Sequence, residues 1–378
     1  MKFTTAKSLI ALLLCLSVCL LSSCIALGPT LEDLEEYSRM HASSGGDGGE
    51  SSDEAASDSD SSDSDVSASG DKTMTVHFID VGQGDSAFIE LPNGECMLID
   101  AGERDYAGRV ISFIDCLGYT KIDHVVATHP HSDHIGGMQR VIESFDIGTI
   151  YMPEAITDTS SFINLLEAID AKGKTITPVD DTLVVNFGGA KGRFVAPSVI
   201  SENLNDCSAI LHLSYGERAF LFTGDAEAIE ESTVSADIEA DVLKVGHHGS
   251  YTSSSDAFLS KVKAQIAVIS CGKDNEYGHP HDVALKRLEN SGVKRIYRTD
   301  ISGTVTVITD GRTLGVSEGT QVTDYVWVLN IGSKKVHTAS CDSAVEMNEY
   351  NKAYSIRDLD ELLALGYKLC GSCKPNEE

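Results

Sequence analysis

The chain alternates short apolar runs with clusters of Gly, Pro, Asn and charged residues. Thr73–Ile79, Ser86–Leu91, Cys96–Asp100 and Ile122–Thr128 have strand length and β-branched or aromatic content, and they predict four strands. Between the third and fourth, apolar positions move to helical spacing over Tyr106–Leu117. Strand-like and helix-like runs keep interleaving through Ile147–Met152, Ser160–Ala171, Gly192–Ala196, Ala209–Leu213, Ala219–Thr223, Asp241–Val245, Ile266–Ser270 and Gly303–Ile308. No period repeats, so the pattern predicts a layered α/β sandwich of sheets and helices rather than a solenoid.

The first 72 residues break this pattern. Lys2 and Lys7 precede the apolar run Leu9–Leu21, which fits a secretory leader and is too short to span about 30 Å of hydrocarbon. Leu21-Ser22-Ser23-Cys24 resembles a bacterial lipobox, so residues 1–23 are expected to be removed and Cys24 to carry a lipid. An ordinary leader with an incidental cysteine gives the same extracytoplasmic placement. Residues 24–72 then form an acidic tether, whose stretch Ser43–Asp71 has too few apolar side chains to offset chain entropy. The plain reading is a solvated spacer that lifts a domain off the membrane; a calcium-binding acidic repeat is the sharper one. The net charge of −29 extends beyond the tether, because residues 73–317 hold 35 acidic and 19 basic residues. Such a balance argues against holding nucleic acid by broad electrostatics. Cys96, Cys116, Cys207 and Cys271 lie in apolar or strand-like settings and read as small core residues.

Candidate chemistry concentrates in Thr128-His129-Pro130-His131-Ser132-Asp133-His134-Ile135-Gly136-Gly137. Directly after an apolar strand, this turn carries three imidazoles and a carboxylate, a donor set suited to divalent metal. His129 and His131 can point to one ion while Asp133 and His134 diverge toward a second, about 3.5–4 Å away in two-metal hydrolases.

HPHSDH resembles the HxHxDH signature of the metallo-β-lactamase fold. The flanks are similar, in kind and order, to the hydrolase domain of the ComEC-type competence DNA-uptake family. They are Phe78-Ile79-Asp80-Val81-Gly82-Gln83-Gly84-Asp85-Ser86, Leu98-Ile99-Asp100-Ala101-Gly102, Phe222-Thr223-Gly224-Asp225-Ala226-Glu227, Leu243-Lys244-Val245-Gly246-His247-His248-Gly249-Ser250 and Gly278-His279-Pro280. The resemblance implies an αββα sandwich over residues 73–316 with one or two divalent ions, Zn or Mn, between the sheet edges. It implies that His129, His131, Asp133 and His134 ligate metal and that Asp225 bridges the ions. His247 or His248 closes the second site; His248 is favoured, leaving His247 to contact phosphate or protonate the leaving group. Asp80, Asp85 and Asp100 are expected to hydrogen-bond the ligand loops, and Lys244 or His279 to face substrate oxygens. Many enzymes of this fold have a further histidine before the bridging aspartate, where this chain has Asn205-Asp206-Cys207-Ser208. Asn205 and Ser208 are expected to replace it, which opens the first site to the harder Mn²⁺. His124 and His212, inside strands, read as structural histidines.

Metal-assisted hydrolysis follows from such a site. Phosphodiester as the bond and DNA as the polymer come from the resemblance alone. A different phosphodiester, such as one in a cell-wall polymer, is the alternative enzyme reading, and a DNA-binding surface protein with a relic site is the non-enzyme one. Lys286, Arg287, Lys294, Arg295 and Arg298 offer either a local basic patch or merely a solvated helix face.

The C-terminal residues 324–378 read as a small separate domain, joined through the Gly- and Thr-rich stretch Asp310–Thr323. His337, Cys341, Cys370 and Cys373 have the spacing of a tetrahedral zinc site, and so short a segment needs such a staple. The segment resembles the Ada-type zinc-binding domain, with His337 in place of a cysteine. A disulfide between two of the three cysteines is the alternative.

Overall fold

A computed structural model describes residues 72–375 apart from residues 199 and 322; the expected leader, Cys24 and the tether up to residue 71 lie outside the described residues. The first half of the chain contributes β1 (Met74–Phe78), β2 (Ala87–Glu90), β3 (Cys96–Ile99), β4 (Lys121–Val126), β5 (Asp146–Met152) and β6 (Ile176–Pro178). Next come β7 (Val184–Phe187), β8 (Ala190–Ala196), β9 (Ile210–Tyr215), β10 (Arg218–Phe222), β11 (Val242–Lys244), β12 (Ile266–Ile269) and β13 (Arg295–Arg298). The chain then returns through β14 (Val305–Thr309) and β15 (Leu314–Glu318) to β1, giving a first sheet ordered β15-β14-β1-β2-β3-β4-β5-β6. The second sheet runs β13-β12-β11-β10-β9-β8-β7.

Strand alternation builds the layers. Met97 and Ile99 of β3, with Phe220 and Phe222 of β10, face the core between the two sheets. The intervening Leu98 faces the outer layer formed by α1 (Ala107–Cys116), α2 (Met138–Ser144) and α3 (Ser160–Ala171). Leu221 faces the opposite layer, where α4 (Ala228–Thr233), α5 (Asp256–Val262) and α6 (Asp282–Asn290) lie over the second sheet. The result is the αββα sandwich expected above. Leu314–Glu318, inside the stretch expected to be a linker, pairs antiparallel with β14 as an edge strand. Leu314 and Val316 alternate inward onto the inter-sheet core, a period-2 signal that the neighbouring Gly and Thr residues obscure.

The tail forms a third sheet from β16 (Trp327–Asn330), β17 (Lys335–Thr338), β18 (Lys352–Ser355) and β19 (Lys368–Leu369), ordered β18-β16-β17-β19. Its apolar face shares the core of the first helix layer. Leu329, Ile331, Val336, Ala353, Leu362 and Tyr367 cluster with α1 residues such as Phe113. Polar contacts tie the same junction. Tyr354 N donates to Ser112 Oγ at 2.8 Å, Ile356 N to Asp115 Oδ1 at 3.0 Å, and the buried Arg357 pairs with buried Asp115 at 2.6 Å. Among the described residues no helix is long and apolar enough to cross a membrane.

Candidate metal centre

The centre is built by loops at the ends of β1, β3, β4, β10 and β11. From β4 the chain passes through His129 and His131 into the short helical turn Ser132–Ile135, then Gly136 and Gly137. Those glycines are required: a Cβ on Gly137 would collide with the Ala101 carbonyl, and one on Gly136 with the Ser132 carbonyl. Backbone bonds knit this loop to its neighbours, Asp85 N donating to Asp133 O at 3.0 Å and Ala101 N to His134 O at 2.8 Å.

Four side chains converge. One donor atom from each of Asp133, His134, Asp225 and His248 lies within 4.8 Å of the others. His134 Nε2 is 3.1 Å from Asp225 Oδ1, and His248 Nε2 is 3.1 Å from Asp133 Oδ2 and 3.4 Å from Asp225 Oδ2. His134 Nε2 and Asp225 Oδ1 are buried without a well-directed hydrogen bond, despite that 3.1 Å approach. Burial would push Asp225 upward, but the His134 and His248 imidazoles hold it well below the usual carboxylate range. Burial would equally lower His134 and His248, yet Asp225 with Asp100 or Asp85 holds both well above an ordinary imidazole. At both imidazoles the surrounding carboxylates outweigh burial, a concentration of negative charge suited to a divalent cation. On the other side of Asp225, His129 Nε2 stands 3.9 Å from Oδ2 and 3.0 Å from His131 Nδ1. Burial and the neighbouring His134 hold His129 far below its normal range, which favours the neutral imidazole that a metal ligand must be. The donors fit one or two ions of the Zn²⁺ or Mn²⁺ type.

Surrounding groups fix the tautomers. His134 Nδ1 donates to Asp100 Oδ2 at 2.8 Å, which turns Nε2 toward Asp225. Asp100 is fully buried in a left-handed conformation and also accepts from Thr128 N and Oγ1. His248 Nδ1 donates to Ser270 O at 2.9 Å and lies 3.2 Å from Asp85 Oδ1. Ser208 Oγ accepts from Asp225 N at 3.0 Å and lies 3.4 Å from His129 Nδ1, while Asn205 Nδ2 donates to Glu227 Oε1 at 3.4 Å.

Other residues fall further out. His247 lies outside the four-residue cluster at the partly open rim, its Nε2 3.8 Å from Asp225 and its Nδ1 3.1 Å from both Glu227 Oε1 and Thr252 Oγ1. Lys244, expected to face substrate oxygens, is buried: it follows Val242 in strand alternation, points between the sheets, and pairs at 2.5 Å with Asp85. His279 packs its ring on His247 and His248. Asp80 caps its own turn by accepting from Gly82 N and touches none of the converging donors. His124 meets Glu95, and His212 donates to Glu239 O, both away from the centre. Of the basic residues, Arg298 pairs with Asp300, and Arg287 donates to Tyr251 O and Ser253 O. Sequence reasoning gave no role to Thr128, Glu227 or Ser270. Glu227 stood two residues beyond Asp225 in a stretch already singled out, whereas Ser270 acts through a backbone carbonyl and leaves no side-chain signal.

In the tail, donor atoms of His337, Cys341, Cys370 and Cys373 also lie within 4.8 Å of one another. The seven cysteines among the described residues are free thiols. Burial opposes ionisation of Cys370, but backbone N–H groups of Cys373 and Ser372 lower it to about 7. His337 Nε2 is buried without a hydrogen-bond partner. Three thiols and an imidazole at this spacing can close a tetrahedral zinc site.

"ComE operon protein 3" of Bacillus subtilis (strain 168) is 29% identical over 251 residues, 61% of this chain and 32% of that protein. "Recombination protein 2" of Haemophilus influenzae is 28% identical over 62% of this chain and 29% of its own length. "Competence protein ComA" of Neisseria gonorrhoeae is 31% identical over 59% and 30%. The chain therefore spans about a third of the length of these relatives. Among solved structures, the metallo-beta-lactamase fold protein YhfI from Bacillus subtilis aligns with a TM-score of 0.43 at 14% identity, over 66% of this chain and 100% of that one. The family model of the metallo-beta-lactamase superfamily matches residues 79–273, more than half of the sequence and all of the centre described above, so this chain belongs to that superfamily.

Proposed function

We propose that the chain is a metal-dependent phosphodiesterase that cuts DNA outside the cytoplasm, held to the membrane by a lipid on Cys24 and spaced from it by the acidic tether to residue 72. The convergence of Asp133, His134, Asp225 and His248 carries the hydrolase part of this reading. The competence and recombination names of the relatives support DNA as the substrate.

His129, His131, Asp133, His134, Asp225 and His248 would hold one or two ions, with Asp225 between the two groups. Such ions, when bound, lower the pKa of water and neutralise charge developing on the phosphoryl oxygens. The protein's own groups do the rest. Asp100 and the Ser270 carbonyl lock His134 and His248 with Nε2 inward. Asp133, half-buried at the mouth, orients the attacking water. Glu227 and Thr252 hold His247 through Nδ1, so Nε2 faces the centre from the partly open rim and can protonate the leaving oxygen. Lys244 offsets the charge of Asp85 behind His248 and keeps that wall rigid. Residues 324–378 would use His337, Cys341, Cys370 and Cys373 for structural zinc.

The test is hydrolysis of bis-p-nitrophenyl phosphate and of DNA by the full chain with Mn²⁺ or Zn²⁺, beside Asp133→Ala/His134→Ala. Cutting of both, lost in the double variant, is expected. Cleavage of the small diester alone would move the substrate to another phosphodiester, and no turnover of either would overturn the enzyme reading.

A further inference from the structure

Five rings form a connected ladder from the metal centre to the surface. His279 stacks on His248 with centroids 6.1 Å apart and planes 28° apart. Tyr277 stacks on His279 at 5.7 Å and 24°. A second arm runs from His279 to His281 at 4.9 Å and on to Tyr251 at 5.1 Å. The inner ring is buried, while Tyr251 and Tyr277 each remain 59% exposed.

Both arms are braced. Arg287 Nη1 donates to the carbonyls of Tyr251 at 2.8 Å and Ser253 at 3.0 Å, and Tyr251 N donates to His281 Nδ1 at 3.1 Å. On the other arm Asn275 Nδ2 donates to the carbonyls of Gly272 and His279, and His279 N donates back to Asn275 Oδ1. The loops that carry the two exposed tyrosines are thus held in place; the Tyr277 ring lies nearly parallel to His279, whereas His281 meets His279 edge-on at 81° and Tyr251 tilts 56° from His281.

We propose that Tyr251 and Tyr277 are substrate-positioning residues that stack unpaired nucleobases of a polynucleotide whose phosphate lies at the metal centre. The proposal rests on the phosphodiesterase reading and adds how the polymer is selected. Two observations favour bases over other groups. With 35 acidic and 19 basic residues over 73–317, the sandwich offers little broad attraction for a phosphate backbone, and stacking is the recognition term that needs none. The ladder is also continuous with His248, so a base on Tyr277 is two ring contacts from the converging donors. A base inside a duplex has both faces covered by its neighbours, so this surface selects single strands or frayed ends.

Anisotropy of a fluorescent (dT)12 and of a blunt hairpin would be measured with the full chain, using Ca²⁺ as the sole divalent ion and checking the oligonucleotide for cleavage. Tyr251→Ala/Tyr277→Ala should weaken (dT)12 binding by about tenfold or more, the loss expected for at least one stacked base. Tyr251→Phe/Tyr277→Phe should keep binding within about twofold, because the ring and not the hydroxyl carries stacking. Four results would overturn the proposal: no binding of (dT)12 by the native chain, equal losses for (dT)12 and hairpin, a Phe variant as weak as the Ala one, or equal competition by a glycerol-phosphate polymer. Hydrolysis of bis-p-nitrophenyl phosphate by the native chain is read separately. Its absence would remove the phosphodiesterase reading while the binding result still decides the role of the tyrosines.

Discussion

Two clusters of metal-type donors in one chain differ in chemistry, enclosure and origin. The tail cluster draws soft donors, three thiols and an imidazole, from two short segments of one small sheet. The centre between the sheets draws imidazoles and carboxylates from loops that are distant in sequence, and its His247 and Asp133 side remains partly open, with side chains 21% and 27% exposed. A closed sulfur-rich tetrahedron suits a structural ion, whereas an open N/O set leaves room for water and substrate. The difference teaches that donor spacing locates a metal site, but softness and openness decide what the metal is for.

The sharpest break in this comparison is a crossed pair of substitutions. His134→Ala should cut diester hydrolysis by more than the roughly 100-fold that a supporting residue is worth, while the tail keeps its equivalent of zinc. Cys370→Ser should do the reverse, losing one equivalent of zinc and lowering the melting temperature while the folded fraction keeps its activity. A tail variant that loses activity per folded molecule would erase the distinction. Next in size, Arg357→Ala leaves Asp115 buried without its partner at the tail–α1 junction and should destabilise the protein by about 3–5 kcal/mol, measured by urea unfolding. A change below 1 kcal/mol would mean that the tail sheet is held by its apolar face alone. Smaller again, Asp100→Asn frees the His134 tautomer and should weaken metal binding by about 10- to 100-fold, read by titration against a chelator.

Both clusters were legible in the sequence, for the same reason: histidines, aspartates and cysteines at fixed short spacing carry their own signal. Most strands were equally legible, because Met97, Leu98 and Ile99 are apolar on both faces of a doubly covered sheet. What escaped depended on packing between segments distant in sequence. Lys244 looked like a substrate contact beside two histidines, but only the position of β11 inside the sandwich turns it toward Asp85. The expected linker hid β15, whose alternation needs β14 beside it to become visible. Nor did anything in residues 324–378 announce that their apolar face would merge with α1, since an amphipathic sheet does not name its partner. Tyr251 and Tyr277 lie 26 positions apart, and their connection through His281 and His279 exists only in the fold.

The mildest test concerns pH and separates the wall behind the centre from the tail. Glu230 on α4 is 3% exposed, and both its carboxylate oxygens lack a hydrogen-bonding side chain. Burial, then the nearby charges of Asp206 and Glu231, push it up to about 9, with the Ser208 backbone N–H opposing. Its folded-state pKa is therefore raised above the ordinary glutamate value of 4.5, so the folded protein holds a proton that the unfolded chain releases. This contribution to stability is complete below about 4.5 and is lost progressively as pH rises through about 9. Within that window one proton is released on unfolding, which costs stability at most about 1.4 kcal/mol per pH unit. Glu230→Gln keeps the shape without the proton and should flatten that component, as read from urea midpoints at pH 6, 7 and 8. An unchanged slope in the variant would place the titrating group elsewhere. A flattened one would show that the wall carrying Asp206 and Ser208 is held by a neutral carboxyl.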